Sequence, residues 1–405
     1  MKIWKIIIVT SILLVGIGVI MTLRAGEASE MTIDDEKVDT VKTSNSAEDM
    51  DESLVTFEKT VAVTPDDTYS YGAFCRVNRV PSEENFFVTF GGSNRDVQQS
   101  AKTFSPFGGA EGGNGYSYKI YDADFSYTGE TGVIHSGGGD AASVLADGYY
   151  YFLVGTPPND WIIKKIDTST WEMVDSTVID METSTEILND MMLAYANGNL
   201  IASGLYDATG VAGGDQKKSD PTAGMATHNH LYDTSLKFLE RFVLDDVPHI
   251  NGSYVVFAND VYNYITSTSF FGDLIVMRYD EDWKFIDSKT IDEGAQWSQG
   301  ALYDEKTDRF YVAFMDLPLT KDNKIARGES INIALGIYDA EWNLVEKVNV
   351  SGFEPSDKKN PGRPSVILED GKLYVSYDVS TAPELGGEEK LDWQCTVNIL
   401  DVNTL

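Results

Sequence analysis

Basic residues are scarce in this chain. Its 405 residues carry 31 lysines and arginines against 64 aspartates and glutamates, a formal net charge of −33. Such a polyanion repels phosphate backbones, which argues against nucleic acid as a partner and against docking on anionic lipid. Lysine outnumbers arginine, unlike the lysine-poor composition of an extreme halophile, so the charge reads as solubility at a crowded or salty surface. Only two cysteines and four histidines occur. No zinc-ligand cluster can be assembled from them by spacing. The chain also lacks a serine nucleophile elbow and a phosphate-cradling glycine loop ahead of a helix; the glycines from Gly108 to Gly113 fit no strand–helix pattern and read as a loop. Beyond residue 23 there is no long apolar run.

The one such run, residues 6–23, comes directly after Met1-Lys2-Ile3-Trp4-Lys5. A basic flank before an apolar stretch is either a signal peptide or a membrane anchor, and eighteen residues are just enough to span a bilayer. A cut after Ala28 and an uncleaved anchor both remain open. Either way Lys2 and Lys5 favour an inside N-terminus and export of the rest of the chain. No cysteine lies near enough for a lipid anchor. Residues 27–53 are acidic and poor in large apolar side chains, as in a disordered spacer. The expected organisation is a signal or anchor over 1–26, a spacer over 27–53 and one folded domain over 54–405. Localisation is expected to be extracellular, anchored or secreted, with membrane contact only through residues 6–23.

What the chain has in abundance is a repeated motif. It reads Tyr121-Asp122-Ala123-Asp124-Phe125, Ile166-Asp167 followed by Trp171, Tyr232-Asp233 followed by Leu236, Tyr279-Asp280-Glu281-Asp282-Trp283, Tyr338-Asp339-Ala340-Glu341-Trp342, and Leu400-Asp401. A unit recurring every 45 to 66 residues signals a repeat architecture. Apolar residues alternate on both sides of each motif, the mark of half-buried strands. The aspartate suits the turn between them, because its carboxylate can bond amides two residues on. These carboxylates are expected to serve the turn, with a calcium role as the minority reading, and no other cofactor is expected. Upstream lies a second hairpin, with turns at Asp147-Gly148, Asn197-Gly198, Asn259-Asp260 and Asp370-Gly371. Asn-Gly and Asp-Gly between apolar runs are the strongest short hairpin signals. Each repeat is thus four antiparallel strands, A to D, the composition of a propeller blade.

Six A–B–C sets begin near Gly72, Ala141, Asp190, Gly252, Gly300 and Pro364. The last has no room for an outer strand D. Residues 54–63 match residues 344–350 in pattern, including a Glu-Lys pair, and supply the missing strand from the other end of the chain. The fold expected is an all-β, six-bladed β-propeller of four-stranded antiparallel blades, its ring closed by the N-terminal outer strand. Closure removes sheet edges that invite aggregation. Cys75 in strand A of blade one and Cys395 in strand C of blade six become neighbours at the seam. They are a disulfide candidate, two buried thiols being the alternative.

The A–B and C–D turns share one face of the disc and are short. The B–C and D–A connections share the other, and four of them are long: residues 91–115, 207–227, 316–329 and 378–392. Long loops on a rigid scaffold are where function concentrates, so the site is expected on that loop face, over the central channel. The positions just before each strand A point at the channel mouth: Tyr71, Asp140, Asp190, Asn251, Gln299 and Arg363. All have a polar tip, consistent with a ligand ring or with a merely hydrated channel. His135 and His249 lie in D–A connections, and His228 and His230 open strand C of blade three on one side of the strand. His228, His230 and His249 are candidate ligand-binding residues with Tyr71, Asn251, Gln299 and Arg363; no metal site is expected.

Glycoside hydrolysis needs two carboxylates at a set separation. Asp140 and Asp190, with Glu111 as a third, are the candidates. The stretch Gly139-Asp140-Ala141-Ala142-Ser143-Val144-Leu145-Ala146-Asp147-Gly148-Tyr149-Tyr150-Tyr151 resembles the first-blade motif of five-bladed glycosidases, which implies a catalytic base at Asp140. The likeness covers about a dozen residues, the family's Asp-Pro is absent, and six blades are counted here. Sialidases are six-bladed and hold a carboxylate with three arginines; Arg95, Arg327 and Arg363 lie on the loop face, yet the family's Ser-x-Asp-x-Gly-x-Thr-Trp turns are missing. The expected function is a surface-displayed binding or adhesion module for a glycan, a peptide or an envelope protein, with an extracellular glycosidase-like hydrolase as the alternative.

Overall fold

A computed structural model describes residues 53–64, 75–79, 84–91, 116–135, 141–156, 160–179, 187–207, 225–244, 253–267, 272–317, 330–357, 359–381 and 393–403. The leader expected over residues 1–26 and the spacer expected over 27–53, save its last residue, lie outside them. No helix among the described residues is long and apolar enough to cross a membrane.

The chain forms a six-bladed β-propeller. After β1 (Val55–Ala62), blade one comprises β2 (Arg76–Arg79), β3 (Phe86–Gly91), β4 (Tyr116–Tyr121) and β5 (Tyr127–His135). Blade two is β6 (Ala141–Ala146), β7 (Tyr149–Thr156), β8 (Asp160–Asp167) and β9 (Met173–Val178). Blade three is β10 (Ile187–Ala196), β11 (Asn199–Asp207), β12 (Met225–Tyr232) and β13 (Phe238–Leu244). Blades four and five are β14 (Tyr254–Ala258), β15 (Val261–Ser267), β16 (Gly272–Tyr279), β17 (Phe285–Asp304), β18 (Arg309–Leu317), β19 (Asn332–Asp339) and β20 (Leu344–Asn349). Blade six is β21 (Lys359–Glu369), β22 (Lys372–Thr381) and β23 (Trp393–Val402), completed by β1, which pairs antiparallel with β23. The innermost strands β2, β6, β10, β14, β17 and β21 contact one another in sequence, and β21 returns to β2.

Blades four and five share a strand. β17 runs twenty residues without a break, as the outer strand of one blade and the inner strand of the next, so their sheet has seven strands. The repeat pattern predicts a D–A connection here; the segment between Ile291 and Gly300 carries no proline or tight-turn pair to end pairing, and it stays extended. Strand A also begins earlier than expected in blades three and six, at Ile187 and Lys359, because in each case the chain continues past a bulge toward the loop face.

The short turns arise from local chemistry. Asp147-Gly148, Asn197-Gly198, Asn259-Asp260 and Asp370-Gly371 all have two consecutive positive φ values, between 49° and 77°, the geometry whose twist matches the flanking strands. In the repeated motif the aspartate accepts turn amides: Asp339 Oδ1 from Glu341 at 3.1 Å and Asn343 at 2.7 Å, and Asp280 Oδ1 from Asp282 at 3.0 Å and Lys284 at 2.8 Å. A few residues after it, Phe125, Trp171, Leu236, Trp283 and Trp342 take φ of 54° to 62°. That kink swings the large side chain into the groove between its blade and the one before. Trp342 is buried, stacks on Phe310 at 4.0 Å and donates from Nε1 to Asn263 of blade four at 3.0 Å. Trp283 packs on Phe242 of blade three, and Phe125 on Tyr374 of blade six. The motif is therefore an inter-blade wedge. At the seam, Leu54 and Val55 pack among blade-five residues in the same role, with the Leu54 amide bonded to Glu346 of blade five.

The core is correspondingly divided. The described residues form six apolar clusters, one for each inter-blade interface. Inner strands such as β3 are buried along their whole length, while outer strands such as β9 are mostly exposed.

Candidate functional site

The described part of the channel mouth is built at the seam. The disulfide Cys75–Cys395 joins blade one to blade six, with Cα atoms 5.3 Å apart and 320 residues between them in sequence. Both cysteines are fully buried. They sit in an apolar cluster, but their backbone groups meet polar side chains: the Cys75 amide donates to Asp378 Oδ1 at 3.3 Å, Ser376 donates to the Cys75 carbonyl at 3.0 Å, and the Cys395 amide donates to Thr64 at 2.8 Å.

This clasp delivers one arginine to a buried carboxylate and holds a second arginine beside it. Arg76 adjoins Cys75 at the loop-face end of β2. Arg363 sits in the bulge of β21 with φ of 48°. Bulges re-aim side chains, and they gather near sites. Arg363 donates to Asp378 at 2.7 Å; Asp378 is fully buried and the Arg363 side chain is 14% exposed. Arg76 donates to the Cys75 and Arg363 carbonyls at 2.8 and 3.0 Å. Burial pushes the Asp378 carboxyl up, opposed by Arg363 and Arg76. Burial likewise pulls the Arg76 guanidinium down, opposed first by Asp378. Two phenols adjoin: burial raises the fully buried Tyr150 to about 12 and raises the partly buried Tyr254, and both feel the Arg76 charge. Among the described side chains at this spot, one buried carboxylate faces two guanidinium groups.

The other candidates are dispersed. Asp190 and Gln299 lie on β10 and β17 beside strand bulges, between Asn189 and Met192 and between Trp297 and Gln299; their side chains are outside the described residues. So are Tyr71, Asp140, Glu111, Asn251, His249, Arg95 and Arg327, and with them the convergence of Asp140, Asp190 and Glu111. His228 and His230 share one side of β12, but inside the interface with blade two rather than at its mouth: they are 6% and 2% exposed, on the same side as Tyr232, which packs with blade-two residues. His228 Nδ1 accepts from Arg241 at 2.7 Å. His230 is pushed down to about 4, by burial first and then by Arg241 and His228. Among the described residues no group of three or more His, Cys, Asp or Glu side chains could hold a metal ion.

Arg76 and Asp378 are site residues that sequence patterns alone do not single out. The signal for Asp378 is a single charge inside the apolar run Tyr374-Val375-Ser376-Tyr377-Asp378-Val379. For Arg76 it is only adjacency to Cys75.

No family model matches the chain, and no curated protein matches it by sequence. Solved structures do share its fold. A protein of unknown function from Dyadobacter fermentans is 12% identical with a TM-score of 0.60, over 87% of this chain and 100% of that one. The hemagglutinin-neuraminidase ectodomain of parainfluenza virus 5 is 10% identical with a TM-score of 0.52, over 87% and 85%. A subtype N11 neuraminidase-like protein from an influenza A virus of the flat-faced bat is 9% identical with a TM-score of 0.50, over 87% and 96%. At such identities the likeness is one of fold, a propeller fold that hosts sialidase-like and other proteins.

Proposed function

We propose that this propeller is an exported binding module that takes an anionic ligand, a carboxylate-bearing glycan or peptide, at the loop-face mouth of its channel. The observation that carries the reading is the Arg363 guanidinium on the buried carboxylate of Asp378, with the Arg76 guanidinium held beside it on the Arg363 carbonyl. In a chain of net charge −33, a pair of guanidinium groups held by buried hydrogen bonds serves little for solubility and much for anion recognition. A glycan array probed with the full chain tests it. Acidic glycans should be retained and their neutral counterparts not, with Arg76→Gln weakening retention about tenfold, the worth of one charge-assisted bond. Equal retention of acidic and neutral glycans would sink the reading. The hydrolase alternative, favoured by the neuraminidase-like propeller neighbours, requires cleavage of a retained glycan that Asp140→Asn abolishes.

A further inference from the structure

Asp378 is an exception among the blades. It lies on strand B, seven residues after the last positive-φ residue of its A–B turn. The same place holds Gly155, Leu205, Ser267 and Met315 in blades two to five. None of those side chains is charged, so the blade itself does not call for a carboxylate. In blade six the carboxylate is fully buried, and both of its oxygens are engaged: Oδ2 accepts from Arg363 at 2.7 Å and Oδ1 from the Cys75 amide at 3.3 Å. Among the described side chains, the charged groups that face it are Arg363 from β21 and Arg76 from β2. β23 places Cys395 opposite it, and that sulfur is held in the disulfide. The phenols of Tyr150 on β7 and Tyr254 on β14 feel Arg76 instead, and burial keeps both neutral.

Arg363 therefore already holds a carboxylate, and that carboxylate belongs to its own molecule. An incoming anion that uses Arg363 must share the guanidinium with Asp378 or take it over. Neutralising Asp378 leaves Arg363 and Arg76 without their buried counter-charge, and breaking a buried pair in this way is costly. A carboxylate arriving from outside restores the balance. Protonation is one such neutralisation. Burial pushes the Asp378 carboxyl up, whereas the carboxylate of a ligand in water keeps its ordinary range. As pH falls, Asp378 takes its proton first, and the ligand is still charged when Arg363 is released.

We propose that Asp378 is a built-in competitor for the anion site, so that the channel mouth holds a carboxylate ligand more tightly in acid than at neutral pH. The proposal rests on the reading of the mouth as an anion site. An array of glucuronate-terminated glycans and their glucose-terminated counterparts tests it, probed with the full chain and with Asp378→Asn at about pH 7 and about pH 5. Near pH 7, Asp378→Asn should retain the glucuronate glycans about tenfold more strongly than the parent, the worth of one charge-assisted bond. On acidification the parent should approach the variant, which should gain little. Acid also trims the net negative charge of the whole molecule, but that change acts on both chains alike. Lost stability in the variant would weaken retention, the opposite sign. Asp378→Ser, with the residue that blade four has at this place, repeats the comparison where Asn does not fold. Retention that is unchanged or weaker in the variant, or a parent whose gain in acid is no larger than the variant's, overturns the proposal and leaves the anion reading standing. Failure of both chains to prefer glucuronate over glucose at either pH overturns the two together.

Discussion

At the scale of single residues, charge inside this molecule is unevenly compensated, and each instance has a measurable consequence. His230 is held neutral: its folded value, about 4, lies below the ordinary 6.5 because burial and the neighbouring Arg241 and His228 penalise the cation. The unfolded chain therefore binds a proton that the folded one refuses. This contribution is fully present above pH 6.5 and is lost as pH falls toward 4, by up to about 3 kcal/mol. Urea midpoints across that window should fall, and should fall less in His230→Gln. Asp378→Asn removes the carboxylate between Arg76 and Arg363, and breaking a buried pair in this way should cost about 3 kcal/mol. A melting temperature within a degree of the parent would contradict that pairing. Neither effect was legible in the sequence. Arg76 and Asp378 are 302 positions apart, and only closure of the ring brings them together; His228 and His230 looked like pocket residues because a strand's alternation does not reveal which neighbour covers it.

At the scale of the element, the recurring turn was legible as a turn but not as a wedge. Aspartate at its first position and alternation on either side sufficed to place it. The left-handed φ of Trp342 and its equivalents, which turns a bulky side chain into the preceding groove, is a tertiary demand that overrides local preference. Trp342→Ala should cost about 4 kcal/mol in chemical denaturation, whereas Leu344→Ser, at the exposed start of the next strand, should stay within about 0.5 kcal/mol. Near-equal losses would remove the distinction between wedge and outer strand. The shared strand β17 is the opposite case, an element that local signals divided and pairing kept whole. Its Gly300 packs against the next blade, where a Cβ would meet the Ser365 Cα at 2.6 Å and the Pro364 carbonyl at 2.8 Å. Gly300→Ala must therefore push two backbones apart, with an expected loss of about 2 kcal/mol by thermal melting.

At the scale of the whole molecule, the blade count and the closure by β1 were legible because a period-two strand with no partner in its own repeat must find one elsewhere. Loop lengths single out one face of the disc in the sequence without placing any side chain on it. Closure is double, by β1 on β23 and by the Cys75–Cys395 bond. In the loop-entropy picture a link across 320 residues contributes about 6 kcal/mol. Reduction under mild denaturant should therefore lower stability by that order, and the double mutant Cys75→Ala/Cys395→Ala should melt lower and lose its sensitivity to reductant.

The clasp also sets how the disc bears a mechanical load. Leu54 enters beside Asn403, whose amide donates to the Leu54 carbonyl at 2.8 Å, and β1 then runs antiparallel to β23 toward the disulfide. Ladder bonds lie perpendicular to the strands they join. A pull on residue 54 against a ligand held at the loop face is directed along β1 and shears all of those bonds at once. A pull on residue 403, which lies beside Leu54 at the same end, loads β23 along its length in the same way. Tension arriving from the N-terminal side thus meets the stiff axis of the molecule, and the sulfur–sulfur link at the far end passes it from the sixth blade into the first.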